Sequence, residues 1–185
     1  MFRIQAKETT LMLGDVIKEY SEKNGQKSRV VAAVGRYGIR RREELYTKEL
    51  SKDYSTNKVI RKNTLTIGMG TSQIDFGILL DDEEYCVSPA YSTYNIVGIN
   101  PTYFRDYLIL LNPVLSYRYM ITGARQGKSV NKEELIKFEF SVCSKEEQLY
   151  IQKIMNSLSK KLELEKETLA YLLKQKQYLL RQMFI

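Results

Sequence analysis

The chain has 185 residues, 43% of them apolar and 28% charged, a composition that excludes a disordered chain and predicts one folded domain with something attached. Lys and Arg number 29 against 22 Asp and Glu, a net charge of +7, so anionic partners are favoured, nucleic acid first. Histidine is absent, which removes the commonest general base, His-based triads and His-containing metal sites, and Cys86 and Cys143 are too few for an all-cysteine zinc site.

The same two cysteines do not resemble a disulfide framework, the first eight residues carry no signal-peptide stretch, and apolar runs such as Tyr107 to Leu111 are too short to span a bilayer. A cytoplasmic protein with no membrane partner is expected. The charge is uneven. Residues 1–62 hold 15 basic and 8 acidic side chains, whereas residues 63–112 hold only Arg105 against six acidic ones.

Taken in chain order, Asp15–Lys23 reads as a helix ending near Gly25, and Arg29–Val34 as a strand. Gly35-Arg36-Tyr37-Gly38-Ile39-Arg40-Arg41-Arg42 follows, with four arginines and a tyrosine interleaved with two glycines. Glycine lets the main chain approach a phosphate backbone closely and arginine supplies a fork of donors, so this loop is the first candidate DNA contact. The alternative is a solvated loop whose arginines meet Glu43 and Glu44. Leu65–Met69, Ile74–Leu80, Tyr85–Ser88 and Tyr94–Ile99 are further strands, and Asp81-Asp82-Glu83-Glu84 reads as a solvated turn, since no lysine in that segment completes a nuclease set. Asn100-Pro101 and Asn112-Pro113 each place a capping Asn before a proline, which predicts two consecutive helices, Pro101–Leu111 and Pro113–Thr122.

Gly123-Ala124-Arg125-Gln126-Gly127-Lys128-Ser129 approaches a phosphate-binding loop but has three residues between its glycines where four are needed, and it follows a predicted helix. It remains a glycine-bounded group of donors for phosphates or base edges. Ser144-Lys145-Glu146-Glu147 is a capping box opening a last helix. In that helix the heptad d positions are Ile151, Leu158, Glu165, Leu172 and Leu179, and the a positions are Met155, Leu162, Leu169, Lys176 and Met183. Eight of the ten are apolar, and they predict a seam for a partner helix rather than a tail folded back on its own domain. The opposite charges of Glu165 and Lys176 fit an antiparallel dimer.

Two other functions find partial support. Gly68-Met69-Gly70 with Asn100-Pro101-Thr102-Tyr103 is similar to an adenine methyltransferase pattern, but Thr102 replaces its second proline and the Asn-Pro pair is explained as a helix start. An oligomerising scaffold with an incidental basic surface is the other alternative.

In order, Leu13-Gly14-Asp15-Val16, Val87-Ser88-Pro89-Ala90-Tyr91, Gly123 with Gly127-Lys128-Ser129-Val130-Asn131, Glu146-Glu147-Gln148 and Leu179-Leu180-Arg181-Gln182-Met183-Phe184 resemble the specificity (S) subunit of a type I restriction-modification system. The resemblance implies a target recognition domain that reads part of a split DNA sequence, followed by a helix that packs on another such helix and docks methyltransferase subunits. It looks like a half-size form that must dimerise. The expectation is therefore an α+β protein: a DNA-binding domain over residues 1–143, then a helix over 144–185 forming an antiparallel dimeric coiled coil through Ile151, Met155, Leu158, Leu162, Leu169, Leu172, Leu179 and Met183. Arg36, Arg40, Arg41 and Arg42 are expected on phosphates, and Tyr37, Gln73, Arg125, Gln126, Lys128 and Ser129 on base edges or in a groove. The chain itself is expected to be no enzyme, with no catalytic or metal-binding residue and no cofactor. S-adenosylmethionine, ATP and Mg2+ would sit on partner methyltransferase (M) and restriction (R) subunits, with double-stranded DNA the ligand.

Overall fold

The computed structural model describes residues 9–35, 38–47, 53–123 and 127–183. In chain order the elements are β1 (Thr9–Met12), a 3-10 turn (Leu13–Asp15), β2 (Ile17–Tyr20), β3 (Val30–Gly35), β4 (Gly38–Arg41), α1 (Arg42–Leu45), β5 (Lys58–Ile60), β6 (Thr64–Met69), β7 (Ile74–Ile78), β8 (Tyr85–Val87) and β9 (Ser92–Ile96). There follow α2 (Pro101–Tyr119), β10 (Met120–Gly123), β11 (Gly127–Val130), α3 (Lys132–Leu135), β12 (Glu139–Val142) and α4 (Lys145–Met183). The α+β class and the long last helix are as the sequence predicts. Two compact units are distinguished, residues 1–145 and 146–185.

In the first unit an antiparallel sheet runs β2-β9-β6-β7 and a second, mixed sheet runs β4-β3-β8-β5, with β3 and β8 parallel. Strands β1 and β12 pair antiparallel, Thr9 opposite Val142, so the start of the domain is tied to the residues that precede α4. One face of the first sheet (Leu65, Ile67, Ile74, Phe76) packs with Phe104, Leu108 and Leu115 of α2 in the main core. Between the sheets lies a smaller core of Val34, Ile60, Leu79, Tyr85 and Val87. Gly77 sets their closeness: a Cβ there would come within 2.6 Å of Ile39 and 2.7 Å of Val34.

Two helix expectations are corrected. Asp15–Lys23 is not a helix. Asp15 closes the 3-10 turn by accepting from the Met12 amide at 2.8 Å, and residues 17–20 form β2, with Ile17 opposite Ile96. Pairing with β9, distant in sequence, outweighs local preference. Residues 101–119 form one helix rather than two, because Phe104, Leu108 and Leu115 make a buried stripe that runs past Pro113, whose ring stays on the solvent face. Asn100 does cap α2, accepting from the Tyr103 amide at 3.0 Å. Asn112 does not cap. Buried at 7% exposure, it donates to the Ile74 carbonyl at 2.9 Å and accepts from the Ser116 hydroxyl at 2.7 Å, while that hydroxyl oxygen accepts from the Ile74 amide at 2.8 Å. Thr122, placed in a helix by the sequence pattern, lies in β10.

The pair Asn112 and Ser116 thus satisfies both backbone groups of the first residue of an edge strand. Asn112→Ala leaves buried partners unpaired and should cost about 1–3 kcal/mol, read as a lower urea midpoint with an unchanged slope. Gly77→Val should destabilise by about 1–3 kcal/mol through overpacking, in the same assay.

Candidate nucleic-acid interface

Three hairpin turns carry the candidate contacts. The arginine loop is a hairpin: β3 and β4 pair from Ala32–Arg41 to Gly35–Gly38, and its tip, Arg36 and Tyr37, lies outside the described residues. Arg40 is exposed on β4. Arg41 donates to Glu83 at 2.7 Å, lies 3.8 Å from Glu43 and stands 5.9 Å from the Tyr85 ring centre. Arg42, at the start of α1, stacks on Tyr46 at 4.6 Å, and its buried Nε has no hydrogen-bond partner. With Tyr46 and Tyr91 it lines a cleft of about 370 Å³.

The acidic turn is more than a solvated loop. Glu84 accepts from Arg29 and from Arg61, Arg61 also reaches Glu22 at 2.7 Å, Glu83 takes Arg41, and Asp82 takes Lys62 at 2.6 Å. The acidic middle of the sequence thereby neutralises several basic groups of the first third. Among the four described arginines and lysines paired here, Arg29 is the most enclosed, its side chain 9% exposed.

The β6–β7 turn is closed by the Gly70 amide donating to the Gln73 carbonyl at 3.1 Å. The third turn joins β10 to β11, paired from Met120–Val130 to Gly123–Gly127; its tip, with Arg125 and Gln126, lies outside the described residues. The Gly123–Ser129 segment is therefore a β-hairpin, without the helix that a phosphate-binding loop requires. Lys128 donates to the Thr71 carbonyl and ties the two turns together, which brings Gln73 and Lys128 into one group. Ser129, next along the strand, has its side chain on the opposite face.

Tyr91 links this group to the arginine hairpin. Its hydroxyl donates to the Val34 carbonyl at 3.0 Å on β3, and its ring covers Gly68 on β6 so closely that a Cβ there would overlap it. Gly68 is thus a packing glycine, and at Gly70 a Cβ would come within 2.5 Å of the Gln73 carbonyl and 2.6 Å of Asp75. Asp75 sits beside this contact, half-buried, and burial pushes its carboxyl above the usual range. Tyr46 and Asp75 escape the sequence reading, and Tyr91 enters it only within the Val87–Tyr91 motif, with no role assigned. Asp75 does carry a local signal, being a charge between the core residues Ile74 and Phe76 and so on the other face of its strand.

Among the described residues no group of three potential metal ligands occurs, and no helix is long and apolar enough to cross a membrane.

This arrangement of hairpins and sheets followed by a long helix is that of a known class of DNA-specificity domains. The chain matches the family of the type I restriction modification DNA specificity domain over residues 8–174, and it belongs to that family. A comparison with curated protein sequences finds no match. Among solved structures it is similar to the HsdS subunit from Thermoanaerobacter tengcongensis (13% identity, TM-score 0.50, covering 88% of this chain and 40% of that one). It is also similar to the type I restriction-modification S subunit from M. genitalium (14% identity, TM-score 0.52, 88% and 42%). A third similar chain comes from a structure describing complex assembly and conformational transition of the type I R-M system (13% identity, TM-score 0.53, 90% and 43%). The chain spans less than half the length of each.

The Arg29–Glu84–Arg61 cluster predicts a pH effect. Arg29 and then Arg61 hold the Glu84 carboxyl below its ordinary value. A depressed carboxylate stabilises the fold above the unfolded value of about 4.3, and the contribution is lost as pH falls through the folded value. Glu84→Gln should therefore lower the melting temperature at pH 7, and the gap to the parent should close as the pH is taken below about 4. A gap that is constant with pH would show that the charge plays no part.

Proposed function

We propose that this chain reads one half of a bipartite DNA target and directs methyltransferase subunits, and restriction subunits where present, to it. The observation that carries this reading is the tie between the β6–β7 and β10–β11 turns, which gathers Gln73 and Lys128 in a chain of the specificity family. Arg36, Arg40 and Arg42 contact phosphates. Arg41 contributes less, being engaged by Glu83. Gln73, Lys128, Arg125 and Gln126 are assigned to base edges, where a Gln amide pairs with adenine and an Arg fork with guanine. The chain performs no chemistry itself; S-adenosylmethionine, ATP and Mg2+ belong to the partner subunits in the cytoplasm. Two copies joined through the last helix present two identical reading domains, so the site is an interrupted inverted repeat.

Selection of bound sequences from random duplexes, with the cognate methyltransferase present, tests this directly. An inverted repeat with an indifferent gap is expected, and the absence of any sequence enrichment would overturn the proposal. Alanine at Arg36, Arg40, Arg41 and Arg42 together should weaken binding to all sequences and lower the salt slope by about 0.9 for each phosphate no longer neutralised. Gln73→Ala should instead relax the choice at one base position, a discrimination of about 1–3 kcal/mol.

A further inference from the structure

The β6–β7 hairpin holds a carboxylate that the fold does not use. In the acidic middle of the chain, Asp81 accepts from the Tyr85 hydroxyl, Asp82 pairs with Lys62, Glu83 with Arg41, Glu84 with Arg29 and Arg61, and Asp106 with Arg105. Asp75, the remaining acidic residue of that segment, has neither a hydrogen bond nor an ion pair among the described residues. Burial is the one influence on its carboxyl, and no cation among those residues balances its charge. A half-buried charge without a partner costs stability, so its reason lies outside the fold. A metal ion does not supply that reason, because no group of three potential ligands occurs among the described residues.

The position of this carboxylate is set by the turn itself. Asp75 stands opposite Gly68 in the β6–β7 pair, beside the ring of Tyr91. A Cβ on Gly70 would come within 2.6 Å of a carboxylate oxygen, so the carboxylate lies against the main chain of the turn that Gly70 and Gln73 close. Ile74 and Phe76 face the core with α2, which puts Asp75 on the opposite side, toward the arginine hairpin: at Gly77, two residues along the same face, a Cβ would meet Val34 and Ile39. Lys128 is bound to the same turn, but its ammonium is engaged by the Thr71 carbonyl. One unpartnered acceptor therefore sits among the donors assigned to base edges.

Its chemistry selects a base. In the major groove guanine presents two acceptors, thymine an acceptor and a methyl group, adenine a donor beside an acceptor, and cytosine a donor alone. An ionised carboxylate accepts and does not donate. It is therefore repelled by the acceptors of three bases and paired by the amino group of the fourth. Among cations that attract every phosphate, such a group lowers affinity for all sites except those that offer its donor, and specificity is that difference.

We propose that Asp75 is a specificity-determining residue whose carboxylate, held against Gly70 of the β6–β7 turn, accepts from the exocyclic amino group of a cytosine in the major groove. This rests on the reading above that the tied turns face base edges, and it deepens that reading by naming an acceptor among them and the base it requires. The carboxylate's lack of a protein partner is then part of its role, since an arginine or lysine paired with it would occupy the oxygens that the base must reach.

The test compares the parent, Asp75→Asn and Asp75→Ala, each in complex with the methyltransferase, first by selection from random duplexes and then by dissociation constants on the parent's selected duplex and its single-pair changes. The parent should require a C·G pair at one position of its half-site. There Asp75→Ala should lose roughly tenfold or more of the discrimination, and Asp75→Asn should turn toward A·T, because an Asn amide pairs with adenine. N4-methylcytosine at that position, whose methyl group replaces the groove-facing amino hydrogen while base pairing is kept, should weaken the parent by a similar factor and leave Asp75→Ala unaffected. Asp75→Asn should bind unrelated duplexes at least as tightly as the parent, since a negative charge has left a surface that meets phosphates, and should melt no lower. Base choice unchanged in Asp75→Ala, an equal N4-methyl effect in parent and Asp75→Ala, or a uniform loss of affinity with a lower melting temperature in Asp75→Asn would each overturn the proposal while leaving the recognition reading intact. A parent that selects no sequence would overturn that reading itself, and this inference with it.

Discussion

Much of the recognition domain hangs on the clamp that α2 places on the edge of its main sheet. Strand β7 is the last in the order β2-β9-β6-β7, and Ile74, its first residue, has no neighbouring strand to satisfy its outer backbone groups. Asn112 and Ser116, one helical turn apart, supply the missing acceptor and donor. A buried backbone group left unpaired costs more than a surface bond contributes, so this small network fixes where β7 begins. It thereby fixes the Gly70–Gln73 turn immediately before it. Lys128 then reaches the Thr71 carbonyl of that turn, so the position of the second hairpin follows from the same helix side chains.

Electrostatics divides the basic residues into two populations. Arg29, Arg41, Arg61 and Lys62 are bound by Glu84, Glu83 and Asp82, and in this state they serve the fold. Exposed ion pairs contribute little individually, but Arg29 is enclosed, and removing Glu84 would strand its charge. These paired residues therefore add little to the field available to a phosphate backbone. The count of 29 basic residues overstates it, because positive charge already matched by a carboxylate releases no counterion when DNA arrives.

The legible parts of the fold are those whose signal is local. The last helix has a start signal at Ser144 and an unbroken heptad pattern, and Val30–Gly35, Thr64–Met69 and Tyr85–Val87 are β-branched or aromatic runs bounded by turns, so each lies within a residue or two of its expected place. What fails is set by distant contacts. Ile17–Tyr20 becomes a strand because β9 is there to receive it, and Asn112 abandons its cap because Ile74 needs it more. Glu139-Phe140-Ser141-Val142 does alternate polar and apolar, a strand signal in plain view, but its partner at Thr9–Met12 lies at the other end of the domain. In the candidate interface the residue types are legible in Arg40, Gln73 and Lys128. Their grouping is not, since it depends on a lysine bonding to a main-chain carbonyl, which no side-chain pattern records.

The separation of the two units bears on what the last helix is for. The buried apolar side chains of the core fall between Leu13 and Val142, and the helix from residue 149 onward contributes none of them. Helix propensity alone would be met as well by alanine and charged residues on every face, at no cost in exposed apolar area. A leucine stripe at seam spacing therefore needs a reason other than helix formation itself.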